Sequence, residues 1–218
     1  MTTSWHYVIP AKAGIHYNSM LPDSIKNLIT EFKKLPSIGP RQATRLAFHL
    51  SRYDHSSLAE FVAALSSLKN LSLCSLCFLT HQNQSGLCNI CSDPKRNPNI
   101  IAVVEKETDL LSMERAQKFK GRYFILGELG RGGVLEQTQK NRLAILKNRL
   151  SKISPETEQE IVLAISPTTY GDLAASLISQ ELLGSTKKIT RLGRGIPTGG
   201  EIEFADEETL GHAIDNRN

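Results

Sequence analysis

Cysteine is absent from this chain outside one eighteen-residue window, Cys74 to Cys91, so two hundred of its 218 residues contain none. No apolar run approaches the roughly 18 residues that a membrane-spanning helix needs. A secretory signal is also missing near the amino end, where Tyr7-Val8-Ile9 is short and is broken at once by Pro10 and Lys12. Without that route to an oxidising compartment, two disulfides are a poor explanation of the four cysteines, and a cytoplasmic location is expected. Internal repeats and long low-complexity linkers are lacking, which excludes a solenoid. The glycine-rich run from Gly193 to Gly200 lacks the Gly-x4-Gly-Lys-Ser/Thr order of a phosphate-cradling loop, so it is not read as one.

Acids are scarce in one stretch and bases in another. From Arg115 to Lys152 there are ten Lys or Arg against only Glu128 and Glu136, whereas Glu201 to Asp215 carries six acids and no Lys or Arg. A basic block beside an acidic end predicts a polyanion surface, a partner surface, or both; each lysine taken singly reads as a solvated helix face. The length suits one medium domain or two to three small ones, enough to bury a substantial core.

The cysteines fall as Cys74-x2-Cys77, ten residues, then Cys88-x2-Cys91. Each Cys-x-x-Cys places two thiolates on a tight knuckle, and two knuckles supply the four soft ligands of a tetrahedral zinc ion. Four sulfurs leave no open position, so such a zinc would hold structure and not catalyse. His81, inside the loop, is expected to be solvated because the ligand set is already complete.

Residues 1–19 read as a disordered extension. Residues 20–72 predict three short helices: Ile25, Leu28, Ile29 and Phe32 recur at helical spacing, as do Ala43, Leu46, Ala47 and Leu50, then Leu58, Phe61, Val62 and Leu65. Pro36 is expected to stop the first helix and Pro40 to open the second, where its missing N–H is harmless. Gly39 between them is expected to supply a conformation and a close approach that a side chain would block. A glycine turn entering a helix presents free backbone N–H groups and a dipole's positive end, which suits a phosphate. Lys33 and Lys34 precede the turn, and Arg41 and Arg45 follow it one helical turn apart. Such a device grips backbone phosphate without reading bases.

After a zinc module at 73–97, strands and helices alternate over 98–192, which implies a parallel sheet covered on both faces. Ile100 to Val104 is a continuous apolar run ending in Glu105, with Glu107 and Asp109 in the first turn of the next helix. Strands are expected at 123–126, 161–165 and 188–192, a basic helix at 137–150 and another helix at 171–183. The run from Gly193 reads as a flexible connection to a C-terminal segment, 193–218.

The sixteen residues LPSIGPRQATRLAFHL look like a helix-hairpin-helix DNA-binding motif. Together with the cysteine frame and CNICSDPKR, the segment IAVVEKETDLLSMER and GRGIPTGGEIEFADEETL, they resemble the RecR family of bacterial recombination mediators over residues 21–217. The resemblance implies a Toprim fold for the α/β segment and a ring-shaped homotetramer able to encircle DNA. Implied partners are RecO and, in some bacteria, RecF, acting to load RecA at single-stranded gaps, with no enzymatic step. By position, Arg41 and Arg45 fall on the family's DNA-contacting residues, and Cys74, Cys77, Cys88 and Cys91 on its zinc ligands. Glu105, Asp109 and Asp172 are the acidic, partner-binding candidates.

Active Toprim enzymes hold magnesium with a Glu after the first strand and an Asp-x-Asp pair after a later one. Glu105 matches the first element, but Ser166-Pro167-Thr168-Thr169 stands where the pair would be. Where RecR proteins usually carry a Glu-Gly-Glu-like stretch, this chain has Tyr170-Gly171-Asp172, and Glu128 to Gln139 replaces a glycine- and proline-rich loop. The alternative reading is a metal-dependent nuclease or topoisomerase in which Glu105 is helped by Asp172 or Glu107, with Tyr123 or Tyr170 as nucleophile. In the non-catalytic reading, Glu105 is a helix N-cap or a polar contact at the sheet edge.

Overall fold

Apolar side chains recurring every three to four residues produce the expected helices at the amino end of the computed structural model, which describes residues 20–130, 132–152, 158–215 and 217. The expected extension 1–19 and Arg131 of the basic block lie outside these residues. The chain divides into two compact units, Met1–Lys69 and Asn70–Asn218. No helix among the described residues is long and apolar enough to cross a membrane.

The first unit holds α1 (Asp23–Phe32), α2 (Pro40–Leu50) and α3 (His55–Ser67). Ile25, Ala43, Ala47 and Leu50 are its buried apolar residues, and the two alanines on one face of α2 leave room for close packing. α3 starts where the Asp54 carboxylate accepts the Ser57 N–H at 2.8 Å. It buries no residue in this unit and exposes Leu58, Val62 and Leu65 along one stripe.

The hairpin between α1 and α2 departs from expectation twice. Regular helix ends at Phe32, before Pro36; a tighter turn carries on to Leu35, whose N–H bonds the Phe32 carbonyl at 3.1 Å. The left-handed residue is Ser37, at φ 63°, whereas Gly39 is extended at φ −79° and ψ 170°. A Cβ built on Gly39 would meet nothing within 4 Å. Backbone strain therefore does not explain this glycine, and the open space in front of it is external. Gly39→Ala is expected to leave stability within about 0.5 kcal/mol, because a less restricted unfolded chain and a poorer N-cap have opposite effects. Urea denaturation midpoints measure this directly.

The second unit opens with the hairpin strands β1 (Ser72–Leu73) and β2 (Thr80–His81), followed by the short helix α4 (Asn89–Ser92). Then come β3 (Asn97–Val104), α5 (Glu107–Ala116), β4 (Gly121–Ile125), α6 (Gln137–Leu150), β5 (Glu160–Ala164), α7 (Thr169–Leu182) and β6 (Lys188–Arg191). A 3-10 turn at Ile202–Phe204 leads to α8 (Glu207–Asp215). All pairings in the four-stranded sheet are parallel, in the order β4-β3-β5-β6.

Strand alternation distributes the core as expected for a sheet covered on both faces. Ile101, Val103, Phe124, Ile161 and Leu163 pack with Leu143, Leu146 and Leu150 of α6 and Ile178 and Leu182 of α7. On the opposite face, Ala102, Val104, Tyr123 and Ile125 meet Leu110 of α5 and Leu79 and Ile90 of the cysteine module. Every residue from Ile101 to Val104 is fully buried, the reason this strand reads as a continuous apolar run.

Candidate functional site

Two local devices carry the candidate chemistry. The first lies on the hairpin. α2 makes its first intrahelical bond from the Ala43 N–H to the Gly39 carbonyl at 2.9 Å, Pro40 has no N–H, and no side chain caps the end. The Arg41 and Gln42 amides thus point out of a positive helix terminus. Lys33, Arg41 and Arg45 are exposed and line one open groove of about 610 Å³ together with Ile29 and Thr44. Lys34 does not line it; its ammonium pairs with Glu31 at 2.7 Å.

The second device is the cysteine module. The four sulfurs lie within 4.8 Å of one another, all in buried residues, and none is in a disulfide. Cys77 and Cys88 sulfurs are 3.5 Å apart, close to the ~3.8 Å spacing of tetrahedral ligands with metal–sulfur bonds of about 2.3 Å. Backbone amides support thiolate charge: Leu79 donates to Cys77 Sγ at 3.5 Å and Cys91 to Cys88 Sγ at 3.4 Å. Hydrogen bonding from the Cys77 thiol, with nearby Arg149 adding, draws Cys91 down to about 6, while Cys77 is pushed up as its counterpart. The donor set is a metal-binding site by its composition and spacing. His81 corrects the expectation of a solvated loop residue. It sits in β2, is buried, and accepts the Asn83 N–H on Nδ1 at 3.0 Å while its Nε2 has no partner among the described residues.

The acids at the carboxyl ends of the strands do not come together as a metal site. Among the described residues, the four cysteines are the group of three or more potential ligands that share a centre. Glu105 accepts the Leu129 N–H at 3.2 Å; it is a polar contact to the loop after β4, and Lys106, not Glu105, is the N-cap residue of α5. Asp109 accepts the Lys106 N–H at 3.1 Å. Asp172 is held by Arg191 at 2.6 Å and also by Arg194, and those guanidiniums, Arg191 first, keep its carboxyl below the usual carboxylate range. Gly171 beside it has no room for a side chain, since a Cβ would collide with the Ser166 carbonyl oxygen.

Arg194 also corrects the reading of residues 193–200 as a flexible connection. It spans Asp172 of α7 and Glu208 of α8, the latter at 2.7 Å, and so anchors the beginning of the run to both helices. Tyr123 is unsuited to be a nucleophile. It is buried, its hydroxyl donates to Glu114 at 2.7 Å, and burial first and that carboxylate second push its pKa up.

Sequence reasoning missed the network around Glu114. Arg96 grips this carboxylate with both terminal nitrogens, at 2.8 and 2.5 Å, and bonds the Gly121 carbonyl at 3.3 Å. It thereby joins the segment after the last cysteine to α5 and β4. Glu114→Gln is expected to destabilise the fold by about 2 kcal/mol at pH 7, because charge-assisted bonds are lost while Arg96 stays half-buried. The Arg96 hydrogen bond lowers the Glu114 pKa, so this stabilisation is complete above the ordinary value of 4.5 and disappears as the pH falls below it. Urea midpoints of both proteins from pH 7 to pH 3 should converge at the acid end.

The basic block is not one solvated face either. Arg142 donates to the Ile125 carbonyl at 3.0 Å and lies 4.5 Å from the centre of the Phe78 ring, while Arg149 donates to the Leu76 carbonyl at 3.2 Å. A signal existed: both flank the apolar stripe of Leu143, Leu146 and Leu150, seven residues apart.

Comparison with known proteins covers most of the chain. Family models described as RecR, helix-hairpin-helix, as Toprim domain and as RecR, C-terminal match residues 25–69, 99–193 and 195–218. A curated relative from Frankia casuarinae, named Recombination protein RecR, is 38% identical over 194 residues, covering 88% of this chain and 95% of its own. Relatives with the same name from Paenarthrobacter aurescens and Thermobifida fusca are each 35% identical, over 199 and 200 residues, covering 91% of this chain and 98% of theirs.

Proposed function

Because the chain belongs to the RecR family of recombination proteins, we propose that it is a DNA-binding clamp and loading platform in recombinational repair, gripping DNA without chemistry of its own. The observation that carries this reading is the convergence of Lys33, Arg41 and Arg45 on one groove beside the open amino end of α2. Three exposed cations and the uncapped amides of a helix start suit consecutive backbone phosphates, and such contacts carry no base information. Gly39 belongs to this grip because the space before its Cα admits a phosphate.

In this reading, Cys74, Cys77, Cys88 and Cys91 hold one structural zinc ion, the borderline-soft metal that four closed thiolate positions favour. Functional segments run over 20–72 for DNA binding, 73–97 for zinc, 98–192 for the Toprim domain and 193–218 for assembly. Copies of the chain assemble into a ring, a tetramer, around DNA in the cytoplasm. The unpartnered stripe Leu58, Val62 and Leu65 and the exposed Ile202, Phe204 and Ile214 favour assembly. RecO, with RecF where present, is the partner through which RecA is loaded at gaps, and Glu105, Asp109 and Asp172 are candidate residues for that contact.

The test is a salt-titrated incubation of the protein with end-labelled gapped duplex and magnesium, each sample split between native and denaturing gels. A retarded native band that weakens with salt, over DNA that stays intact, is expected. Cleaved or covalently attached DNA would overturn the reading and return Glu105 to a catalytic role.

A further inference from the structure

Beside the groove that holds Lys33, Arg41 and Arg45, a second groove of about 520 Å³ opens on the exposed side of α2. Its walls include Phe48, His49 and Arg52, and it shares Thr44 and Arg45 with the first groove. From Arg41 to Tyr53 the chain carries three arginines, one histidine and no acid. Asp54, next in sequence, is engaged as the N-cap of α3. Among the described residues, the ion pairs of the first unit are Lys26–Asp23 and Lys34–Glu31, and they leave Arg45 and Arg52 without a counter-charge. Aromatic surface is interleaved with these cations: Phe48 is 36% exposed and Tyr53 39%, and His49 is exposed between them. The His49 and Tyr53 rings meet edge-on with centroids 5.3 Å apart, and His49 Nε2 lies 3.5 Å from the Tyr53 hydroxyl. This contact holds the imidazole in place before a ligand arrives, so less side-chain freedom is lost on binding.

Exposed rings among uncompensated cations fit a ligand that is anionic and also presents flat apolar faces. A second copy of this chain docked face to face would set the same arginines against one another, like charge against like. Duplex DNA matches the charge but hides its base faces inside the stack. An unpaired nucleotide offers a base face and a phosphate together, and aromatic side chains accept any base in this way. We propose that Phe48 and His49 stack unpaired bases of single-stranded DNA while Arg45 and Arg52 hold the adjoining phosphates, with Tyr53 positioning the His49 ring. This deepens the proposed DNA grip, on which it rests, by giving it a preference for strands with unpaired bases. Because Arg45 borders both grooves, a strand leaving the phosphate groove enters the aromatic one without a break. A gap in a duplex supplies both parts: backbone phosphates for the first groove and unpaired bases for the second.

The experiment compares the full chain with a double variant, Phe48→Leu with His49→Gln, which keeps an apolar and a polar side chain but removes both π-faces. Fluorescence anisotropy is read with labelled oligothymidylate, an abasic strand of the same charge, and a blunt duplex. Kd for the thymidylate should rise about tenfold in the variant, the size of one lost base stack, while Kd for the duplex changes by less than about twofold. The slope of log K against log salt should stay at the wild-type value, because rings release no counterions. Wild type should bind the abasic strand about tenfold more weakly than the thymidylate, and the variant should bind the two alike. Equal losses on strand and duplex, or a wild type indifferent to the missing bases, would overturn the inference and leave the phosphate grip intact. A variant with reduced oligomeric mass in sedimentation assigns this face to a second copy and also overturns it. If wild type binds none of the three DNAs, both this inference and the DNA grip fail. Should the double variant not fold, Phe48→Trp decides: its indole emission, measured above that of Trp5 in the wild type, should be quenched by thymidylate and not by duplex. Absence of that quenching overturns the proposal.

Discussion

Replacing Arg41 and Arg45 together by alanine is expected to raise Kd for gapped duplex on the order of 30-fold at moderate salt and to reduce the slope of log K against log salt by roughly two. Both residues are exposed and line one groove with Lys33, so each can neutralise a phosphate and release a counterion. The slope is the more telling quantity because it counts contacts, whereas affinity alone also falls if the hairpin is distorted. Lys34→Ala should alter the slope by less, since its ammonium is already engaged by Glu31. Fluorescence anisotropy with labelled DNA from 50 to about 300 mM salt provides both numbers. A double variant with the wild-type slope would move the DNA contact away from this groove. It would also favour a protein-only scaffold whose hairpin cations are merely solvated.

Cys77→Ser is expected to abolish stoichiometric metal and to lower the melting temperature by about 10–20 °C. Metal binding to a four-thiolate site is worth ~10 kcal/mol or more in isolated fingers. Here only part of it appears as global stability, because the sheet retains its own core; about 4–5 kcal/mol corresponds to that shift for a chain of this size. The loss spreads beyond the sulfur. Cys77 also places Phe78 against both core clusters and presents the carbonyl that pairs the β4 edge. Metal analysis together with calorimetry checks both parts. A variant that melts with the wild type would show that the module is held by apolar packing alone.

The elements were legible because their signals are local. Apolar spacing marks α1, α2, α6 and α7; the uninterrupted run at Ile101–Val104 marks a strand with two covered faces; Pro40 marks the first turn of α2. The cysteine centre was legible for the same reason, since two tight knuckles bring four thiols together almost irrespective of what surrounds them. Reading the hairpin was partly misleading. Glycine and proline punctuate a turn, but which residue takes the left-handed conformation depends on the path between two packed helices, and here it is Ser37 and not Gly39.

Charge was the least legible property. Ten cations between Arg115 and Lys152 look alike in one dimension, yet Arg142 and Arg149 turn inward while Lys147 pairs with Glu181 at the surface. Asp172, read as an acidic partner-binding candidate, is neutralised by arginines 19 and 22 residues further on. By itself, then, the sequence determined the kinds of elements, their order, the thiol set and the basic helical hairpin, because each follows from residues near one another in the chain. Only the tertiary structure decided which charges are spent inside and which face solvent, because the free energy of a charge depends on the dielectric and the counter-charges around it, and these come from distant parts of the chain.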